Sequence, residues 1–413
     1  MVLLKAFRQA MHILSSPVRG EARRRGLIIQ PYRGYGTRQE ICLMGRVYRQ
    51  AGPLFGREGS LLGDVGDIGR RVMRRGQADV IVRASFGGTE QRVNTDRDGY
   101  FRIHLRTRQA PANQHWHSVA LRLVQPPEPE SDTEGQVYIP PDSARHVIIS
   151  DIDDTVVFTG VANKIGMLWR LFMQGPKSRT AFPGVSALYR GLHEGPGGGE
   201  HNPILYVSRG PWGLYELLEE FFQLHNIPVG PIMFLREWGL SPLRPFPRRD
   251  EGHKLDLIRT MLALYADMPF VLVGDSGQQD PEVYTRIVQE YPGRVSAVYI
   301  RNVSLGPKRV GAIKQLAEQI AAAGSTLVLA ADSFAMARHA EAHGLLAPEA
   351  LERILEEEER EEESAEPHLQ RRVTVTGRDP VRARELVERE LGEQQHGIEI
   401  PDVVVETEKN RPK

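Results

Sequence analysis

Short apolar runs alternate with helical segments along the middle of the chain, and this pattern constrains the fold more than any other feature. The runs are typical of buried strands, and the segments between them carry apolar residues at helical spacing. Strands separated by helices form a parallel sheet covered by helices. The pattern therefore predicts an α/β domain with a Rossmann-like parallel sheet. The predicted strands are His146–Ser150, Ile204–Val207, Ile232–Phe234, Phe270–Val273, Val295–Ile300 and Thr326–Leu329, and the predicted helices are Trp212–Leu224, Lys254–Tyr265, Pro281–Tyr291 and Val310–Ala322.

A different pattern precedes this region, with short strands and frequent turns from Ile41 to about Leu123. An Asp98-Gly99 turn leads into an alternating strand, and no long helical period occurs. These features predict a small all-β sandwich ahead of the α/β domain. The predicted boundaries are a basic amphipathic segment at 1–28, the β-sandwich at 29–125, a Pro-rich linker at 126–145, the α/β domain at 146–346, and an acidic helix with a C-terminal appendage at 347–413.

Charge and cysteine content narrow the class of protein. The 53 basic and 53 acidic residues balance, which argues against a general polyanion binder such as a nucleic-acid-binding protein. The single cysteine, Cys42, excludes an intrachain disulfide and a four-cysteine metal site. No apolar run is long enough to span a bilayer. We expect a cytoplasmic protein, with peripheral membrane contact as a further possibility.

Two charged segments lie outside the predicted domains. Met1–Leu14 has the pattern of a short amphipathic helix, which could pack on the protein or contact a membrane surface. Leu351–Glu366 is rich in glutamate and predicts a solvent-exposed helix followed by a flexible spacer. A further strand-helix-strand pattern follows it, for which the sequence indicates no function.

The first candidate site lies directly after the strand at 146–150, in Asp151-Ile152-Asp153-Asp154-Thr155. Asp151 and Asp153 are spaced two apart, so on an extended strand end their carboxylates point to the same side. Such a pair can bind a hard cation and divide the work of nucleophile and general acid/base. The alternative is an ordinary acidic turn, because aspartate is common after strands.

Ser208 and Lys254 provide a candidate anion site. Ser208 follows a predicted strand and precedes a helix that Pro211 favours, so its hydroxyl and nearby backbone N–H groups could bind phosphate. Lys254 lies near the start of the next helix, where a cation is unfavourable unless an anion compensates. The alternatives are a helix cap for Ser208 and an exposed lysine for Lys254. Arg209 could add charge or lie at the surface.

Asp275 and Asp280 complete the set of candidates. Asp275 ends the strand at Phe270–Val273 in a Gly-Asp pair, and Asp280 precedes the next helix. Carboxylate oxygens are the ligands that Mg²⁺ prefers, so Asp275 beside Asp151 predicts an acidic metal site. Asp280 could be a ligand, could orient a ligand or water, or could cap the helix.

In this order, Asp-x-Asp-x-Thr, Ser, Lys and Gly-Asp-x4-Asp resemble the haloacid dehalogenase-like (HAD) superfamily of phosphohydrolases. A closer resemblance is to the family named for the fungal actin-patch phosphatidate phosphatase, and it spans about Ile29 to Leu346. The further segments that carry it are Ile29–Thr37, Gly45–Val47, Asp98–Phe101, Ser150–Val156, Ala181–Val185 and Ser208–Trp212.

The resemblance implies an activity and a role for each residue. It implies Mg²⁺-dependent hydrolysis of phosphatidate, with Asp151 as nucleophile and Asp153 as general acid/base. Mg²⁺ would lie between Asp151, the backbone carbonyl of Asp153, Asp275 and the phosphate, with Ser208 and Lys254 holding the phosphoryl group. Thr155 would support the loop.

The choice of substrate stays open at this point. An apolar helical stretch with basic neighbours, from Ile165 to Met173, could form an entrance for a lipid phosphate at a membrane surface, or it could pack on the core. A soluble phosphomonoester or phosphoprotein is the alternative substrate, and a non-catalytic binding or scaffold protein is the alternative function. The oligomeric state is likewise not predicted.

Overall fold

A computed structural model of the protein describes residues 26–49, 76–107, 114–125, 132–152, 184–210, 212–234, 251–303, 306–363 and 403–405. These residues form two sheets, one largely antiparallel and one largely parallel. The N-terminal helix predicted at 1–14 and the stretch at 165–173 lie outside the described residues.

The first sheet contains eight strands, which together we call the β unit. Seven follow one another in the order β1-β3-β2-β8-β7-β4-β5, and β6 pairs with β3. Every pair is antiparallel except β2 with β8. The strands are β1 (Leu27–Pro31), β2 (Gly34–Gly36), β3 (Glu40–Arg49), β4 (Ile81–Phe86), β5 (Thr89–Asn94), β6 (Tyr100–Arg106), β7 (Trp116–Gln125) and β8 (Thr133–Tyr138).

Alternation along these strands fixes which face is buried, as a period of two requires. On β3, Ile41 and Leu43 are fully buried, while Cys42 and Met44, which alternate with them, are only half-buried. The turn before β6 needs Gly99, which has φ of 84°, in the left-handed region that favours glycine. An antiparallel β region is thus confirmed, while its arrangement as a sandwich stays a prediction.

The prediction of a linker at 126–145 was wrong for its central part. Thr133–Tyr138 forms β8, which pairs with both β2 and β7. Alternate residues Val137 and Gly135 face the core of the β unit, and Val137 is fully buried. The strand was missed because the segment begins with a Pro-rich stretch, which is typical of a linker.

The second sheet, with its helices, we call the α/β unit. Its strand order is β11-β10-β9-β12-β13-β14-β15. All pairs are parallel except β14 with β15, so the predicted α/β organisation with a parallel sheet is confirmed. The strands are β9 (Val147–Asp151), β10 (Ile204–Ser208), β11 (Ile232–Phe234), β12 (Phe270–Asp275), β13 (Val295–Arg301), β14 (Leu327–Ala330) and β15 (Val403–Val405).

Seven α-helices surround this sheet in the described part of the chain, and a 3-10 turn at Trp212–Leu214 precedes the second. Buried aliphatic and aromatic residues on both sheet faces form two core clusters. None of these helices is both long and apolar enough to cross a bilayer. The helices are α1 (Val185–Glu194), α2 (Tyr215–Leu224), α3 (Glu251–Leu264), α4 (Asp280–Glu290), α5 (Pro307–Ala322), α6 (Ser333–Ala342) and α7 (Pro348–Glu363).

The acidic segment is a helix, as predicted, but it is not exposed on all sides. Ala350 and Ile354 of α7 are buried in the core of the α/β unit, against α1 and α6. These residues are spaced four apart, so they form one apolar stripe on a helix that is otherwise charged. Within the predicted C-terminal appendage, β15 pairs with β14 and extends the main sheet.

Candidate functional site

The candidate site lies at the carboxyl ends of three neighbouring strands of the parallel sheet. Asp151 ends β9, which pairs with β10 on one side and β12 on the other. Ser208 ends β10 and Asp275 ends β12, so the register brings these two side chains to the same edge of the sheet as Asp151. Ligands of open α/β sheets bind at this edge.

Three aspartates meet here without exposure to solvent. Asp151, Asp275 and Asp280 are each fully buried, and one carboxylate oxygen from each lies within 4.8 Å of the others. Like charges this close and this buried repel each other strongly unless cations compensate. The cluster therefore requires positive charge at its centre.

Lys254 supplies part of that charge. It extends from the first turn of α3, is 2% exposed, and places Nζ 2.5 Å from Asp280 Oδ1 and 3.6 Å from Asp151 Oδ1. Its ammonium also lies 5.3 Å from the ring centre of Tyr284. Burial alone would lower the pKa of Lys254, but the charges of Asp151 and Asp280 outweigh it and raise the pKa above its ordinary value. Lys254 is therefore a buried cation, and the alternative of an exposed lysine is wrong.

Asp280 holds Lys254 and the loop before it. Its Oδ1 accepts from Lys254 Nζ, and its Oδ2 accepts from the backbone N–H of Asp275 at 3.3 Å. Helix α4 begins at Asp280 with Gln279 as its N-cap, so Asp280 does not cap the helix. Gly274 is required for this packing, because a Cβ there would lie 2.3 Å from Asp280 Oδ2.

Gln278 is a site residue that the sequence did not identify. Its Nε2 donates to Asp151 Oδ2 at 3.0 Å and to Asp275 Oδ2 at 2.8 Å. Both partners are carboxylates, which accept hydrogen bonds, so the two N–H groups of the amide must face them. Gln278 also donates its backbone N–H to Asp275 Oδ1. A glutamine in a loop gives no sequence signal, which is why it was missed.

Arg309, at the start of α5, fixes the same loop from outside. Its Nε donates to the carbonyl of Ser276 at 2.8 Å, and its Nη2 donates to the carbonyl of Gln278 at 2.5 Å. Its guanidinium also pairs with Glu282 of α4. One side chain thereby joins the loop that carries Asp275 and Gln278 to two helices.

Ser208 and Arg209 lie on the other side of the site. Ser208 is buried, and its Oγ accepts from the backbone N–H of Gly210 at 3.0 Å. Arg209 is half-buried, and its positive charge opposes part of the rise in the pKa of Lys254. Asp153 and Thr155, the remaining predicted site residues, lie outside the described residues.

A comparison with known families bears on the same part of the chain. Residues 146–302 match the family described as "Phosphatidate phosphatase APP1, catalytic domain". This segment belongs to the APP1 catalytic-domain family. The resemblance drawn from the motifs is confirmed for this segment. The APP1-type segment contains Asp151, Ser208, Lys254, Asp275 and every other candidate site residue except Arg309.

Two fungal proteins are similar over this region. Phosphatidate phosphatase APP1 of Saccharomyces cerevisiae is 31% identical over 175 residues, which is 42% of this chain and 28% of the yeast protein. An uncharacterized protein of Schizosaccharomyces pombe is 30% identical over 159 residues, 38% of this chain and 25% of that protein. The aligned parts thus span about a quarter of the length of these relatives.

Two solved structures show a weak similarity to about two thirds of the chain. A carbohydrate acetylesterase from Xanthomonas citri aligns with 65% of this chain and 66% of its own, at 10% identity and a TM-score of 0.25. A second carbohydrate esterase aligns at 14% identity and a TM-score of 0.21, covering 68% of this chain and 89% of its own. TM-scores this low support no conclusion about the fold or the function of this chain.

The APP1-type site has the donor set of a hard metal ion. Asp151 and Asp275 offer oxygen ligands from adjacent strands, and Gln278 Nε2 bridges the two carboxylates. Asp280 is occupied by Lys254 and by the backbone, which leaves Asp151 and Asp275 as the pair best placed to bind a cation. Buried oxygen donors with excess negative charge fit a divalent cation such as Mg²⁺.

Proposed function

We propose that this protein is a Mg²⁺-dependent phosphatidate phosphatase of the HAD type, working through an aspartyl-phosphate on Asp151. The observation that carries the proposal is the buried cluster of Asp151, Asp275, Asp280 and Lys254 at the strand ends of an APP1-type segment. A lone acidic turn would be exposed and would not hold a buried lysine 3.6 Å from its first carboxylate.

The proposed reaction has two steps. In the first, a carboxylate oxygen of Asp151 attacks phosphorus, the bond from phosphorus to the ester oxygen breaks, and Asp153 gives its proton to the departing oxygen. In the second, Asp153 takes a proton from water, the water oxygen attacks phosphorus, and the bond to Asp151 breaks. Inorganic phosphate leaves, and Asp151 and Asp153 return to their starting states.

Charge neutralisation is the main requirement of this chemistry, because an anionic carboxylate must approach an anionic phosphate. When bound, Mg²⁺ would neutralise phosphate oxygens and hold them near the nucleophile. Asp151 and Asp275 would bind it, together with the backbone carbonyl of Asp153. Lys254 and Ser208 would hold the phosphoryl group, and Arg209 would add positive charge beside them.

Residues outside the reacting set would fix the geometry. Gln278 donates to both Asp151 and Asp275, so it holds the nucleophile and a metal ligand in a constant relation. Asp280 keeps Lys254 directed at Asp151. Thr155 would support the loop that carries the aspartate pair.

Purified full-length protein with Mg²⁺ tests the proposal directly. We expect phosphate release from phosphatidate in mixed micelles, loss of activity with EDTA, and recovery with added Mg²⁺. The Asp151→Asn variant should lose activity by on the order of 10³-fold or more, because the nucleophile is removed. Asp267→Asn, the same change at an exposed residue, is the matched control and should keep full activity.

Each other outcome has a distinct meaning. Turnover of a soluble aryl phosphate without turnover of phosphatidate would assign a soluble substrate and reject the lipid. Mg²⁺-dependent turnover by Asp151→Asn would reject the nucleophile. No hydrolysis of either substrate would favour a binding or scaffold protein.

A further inference from the structure

A cleft of about 940 Å³ opens between the β unit and the α/β unit, and residues of both units line it. Sites for small molecules commonly have volumes of about 300–1,000 Å³ and largely apolar walls with a few polar groups. The lining of this cleft has that character. Met44, Tyr35, Trp212, Phe234 and Leu257 are among its apolar residues, and Arg102 is among its polar ones.

The part of the wall that β2 and β3 form is apolar, where an outer strand face is usually polar. The core of the unit takes Ile41 and Leu43 from one face of β3. Cys42 and Met44 lie on the opposite face and line the cleft, and Tyr35 of β2 is the cross-strand partner of Cys42. The middle of β3 is therefore apolar on both faces, which indicates that a second apolar surface covers this part of the strand.

Polar side chains edge this apolar wall. Arg102 and His104 of β6 are exposed, and their register partners on β3 are Met44 and Cys42. Both also line the cleft. Arg102 thus places one positive charge beside the apolar floor, and Asp96, which also lines the cleft, places one negative charge there. The apolar floor is the part of the cleft that is complementary to a hydrocarbon chain.

The wall from the α/β unit connects the cleft to the candidate site. Phe234 at the end of β11 is the register partner of Ser208. A Cβ added to Gly210 would lie 3.1 Å from Ser208 Oγ and 3.6 Å from the Phe234 ring, so the hydroxyl and the ring flank the same glycine. On α3, Leu257 follows Lys254 by three residues, which places it on a neighbouring part of the helix surface.

We propose that this cleft binds the hydrocarbon chain of the phosphomonoester substrate, so that the β unit forms half of the substrate site. The inference rests on the proposed function, because it takes the phosphate to lie at Ser208 and Lys254. It goes further by assigning the chain-binding wall to Met44 and Tyr35 of the β unit and to Phe234 and Leu257 of the α/β unit.

Non-hydrolysable alkyl phosphonates test the inference without requiring turnover. Their affinity for the full-length protein with Mg²⁺ would be measured by calorimetry for chains from hexyl to dodecyl, below micelle formation. We expect affinity to rise by up to about fourfold per methylene, the increment for burial of one CH₂ group. A flat series in the wild-type protein would overturn the inference.

Two variants locate the chain, and a third controls for loss of an apolar side chain. Leu257→Gln in α3 and Met44→Gln in β3 should each reduce the increment per methylene at least twofold, because each introduces a polar group into the wall. Leu224→Gln, at a leucine that is 51% exposed on α2, should keep the wild-type increment. Circular dichroism and thermal melting establish that all three are folded.

The outcomes separate this inference from the proposed function. If both wall variants keep the wild-type increment, the cleft is not the chain site, whatever the activity. If the increments behave as expected but no substrate is turned over, the cleft assignment stands and the phosphatase proposal falls. If Leu257→Gln alone reduces the increment, the role of the β unit is overturned.

Discussion

Lys254 contributes both to the stability of the fold and to the proposed phosphoryl chemistry. A buried ammonium is costly alone, and three buried carboxylates are costly together, but each offsets the other. The distances of 2.5 Å to Asp280 and 3.6 Å to Asp151 place the charge where a phosphate would also need it. The sequence indicated a lysine whose position needed an anion, but not which anion it would contact.

Replacing Lys254 with methionine should destabilise the fold by about 3–5 kcal/mol at neutral pH, because it leaves the carboxylates without their buried partner. Chemical denaturation measures this change. Adding Asp280→Asn to Lys254→Met should recover part of the loss. The control Lys314→Met, at an exposed lysine of α5, should change stability by less than about 0.5 kcal/mol.

The pH dependence of this effect has a defined sign. The folded pKa of Lys254 is raised above its ordinary value of 10.5, so its contribution is present below that value and is lost only as pH rises through the folded pKa. Between about pH 6 and 9, Lys254 stays protonated in the folded protein. Its titration should therefore not change the difference in stability between the wild type and Lys254→Met in this range. A loss that follows Lys254 deprotonation inside that range would contradict the raised pKa.

Among the elements that form the site, the loop from Asp275 to Asp280 makes hydrogen bonds and ion pairs to several others. Gln278 crosses from it to Asp151, Asp280 closes it onto Lys254, and Arg309 binds two of its carbonyls. Because β12 and α4 are both anchored in the core, the loop between them has little freedom.

Arg309→Ala should lower kcat about 10- to 100-fold with a smaller change in KM, because the loop loses the guanidinium that fixes it but substrate contacts stay in place. Steady-state kinetics on a short soluble phosphomonoester separates the two parameters. Arg286→Ala removes an arginine from α4 whose side chain is 62% exposed, and it should leave kcat unchanged. Equal effects from both variants would show that Arg309 acts only through general stability.

The sequence could predict the strands of the parallel sheet because their apolar runs are continuous and their ends carry polar residues in a recognisable order. It could not predict Gln278 or Arg309. Their roles arise from hydrogen bonds across 127 and 33 residues of chain, which leave no periodic pattern. It also missed β8, whose six residues follow a Pro-rich stretch.

At the scale of the whole molecule, the β unit packs directly on the α/β unit. Tyr32 after β1 is 4% exposed, with its ring centre 5.1 Å from that of Trp212 and 4.3 Å from that of Tyr215. Arg33 donates its backbone N–H to the Tyr215 hydroxyl and pairs with Glu219. These contacts join distant parts of the sequence, so no local pattern could predict them.

Tyr32→Ala should lower the free energy of unfolding by about 3–5 kcal/mol, because it leaves a cavity beside two aromatic rings. Scanning calorimetry measures the change, and we expect the variant to unfold in two transitions, one for each unit. Leu355→Ala, at a leucine that is 38% exposed, is the control and should melt like the wild type. A wild-type melt for Tyr32→Ala would mean that the interface contributes little.

Trapping the covalent intermediate tests the nucleophilic role of Asp151 directly. Full-length protein with Mg²⁺ would react with phosphatidate carrying a radiolabelled phosphate, acid would stop the reaction within one turnover, and peptide mapping would locate the label. We predict label on the peptide containing Asp151 in the wild type and none in Asp151→Asn. Release of labelled phosphate with no label on that peptide at any time within the turnover would contradict a nucleophilic Asp151.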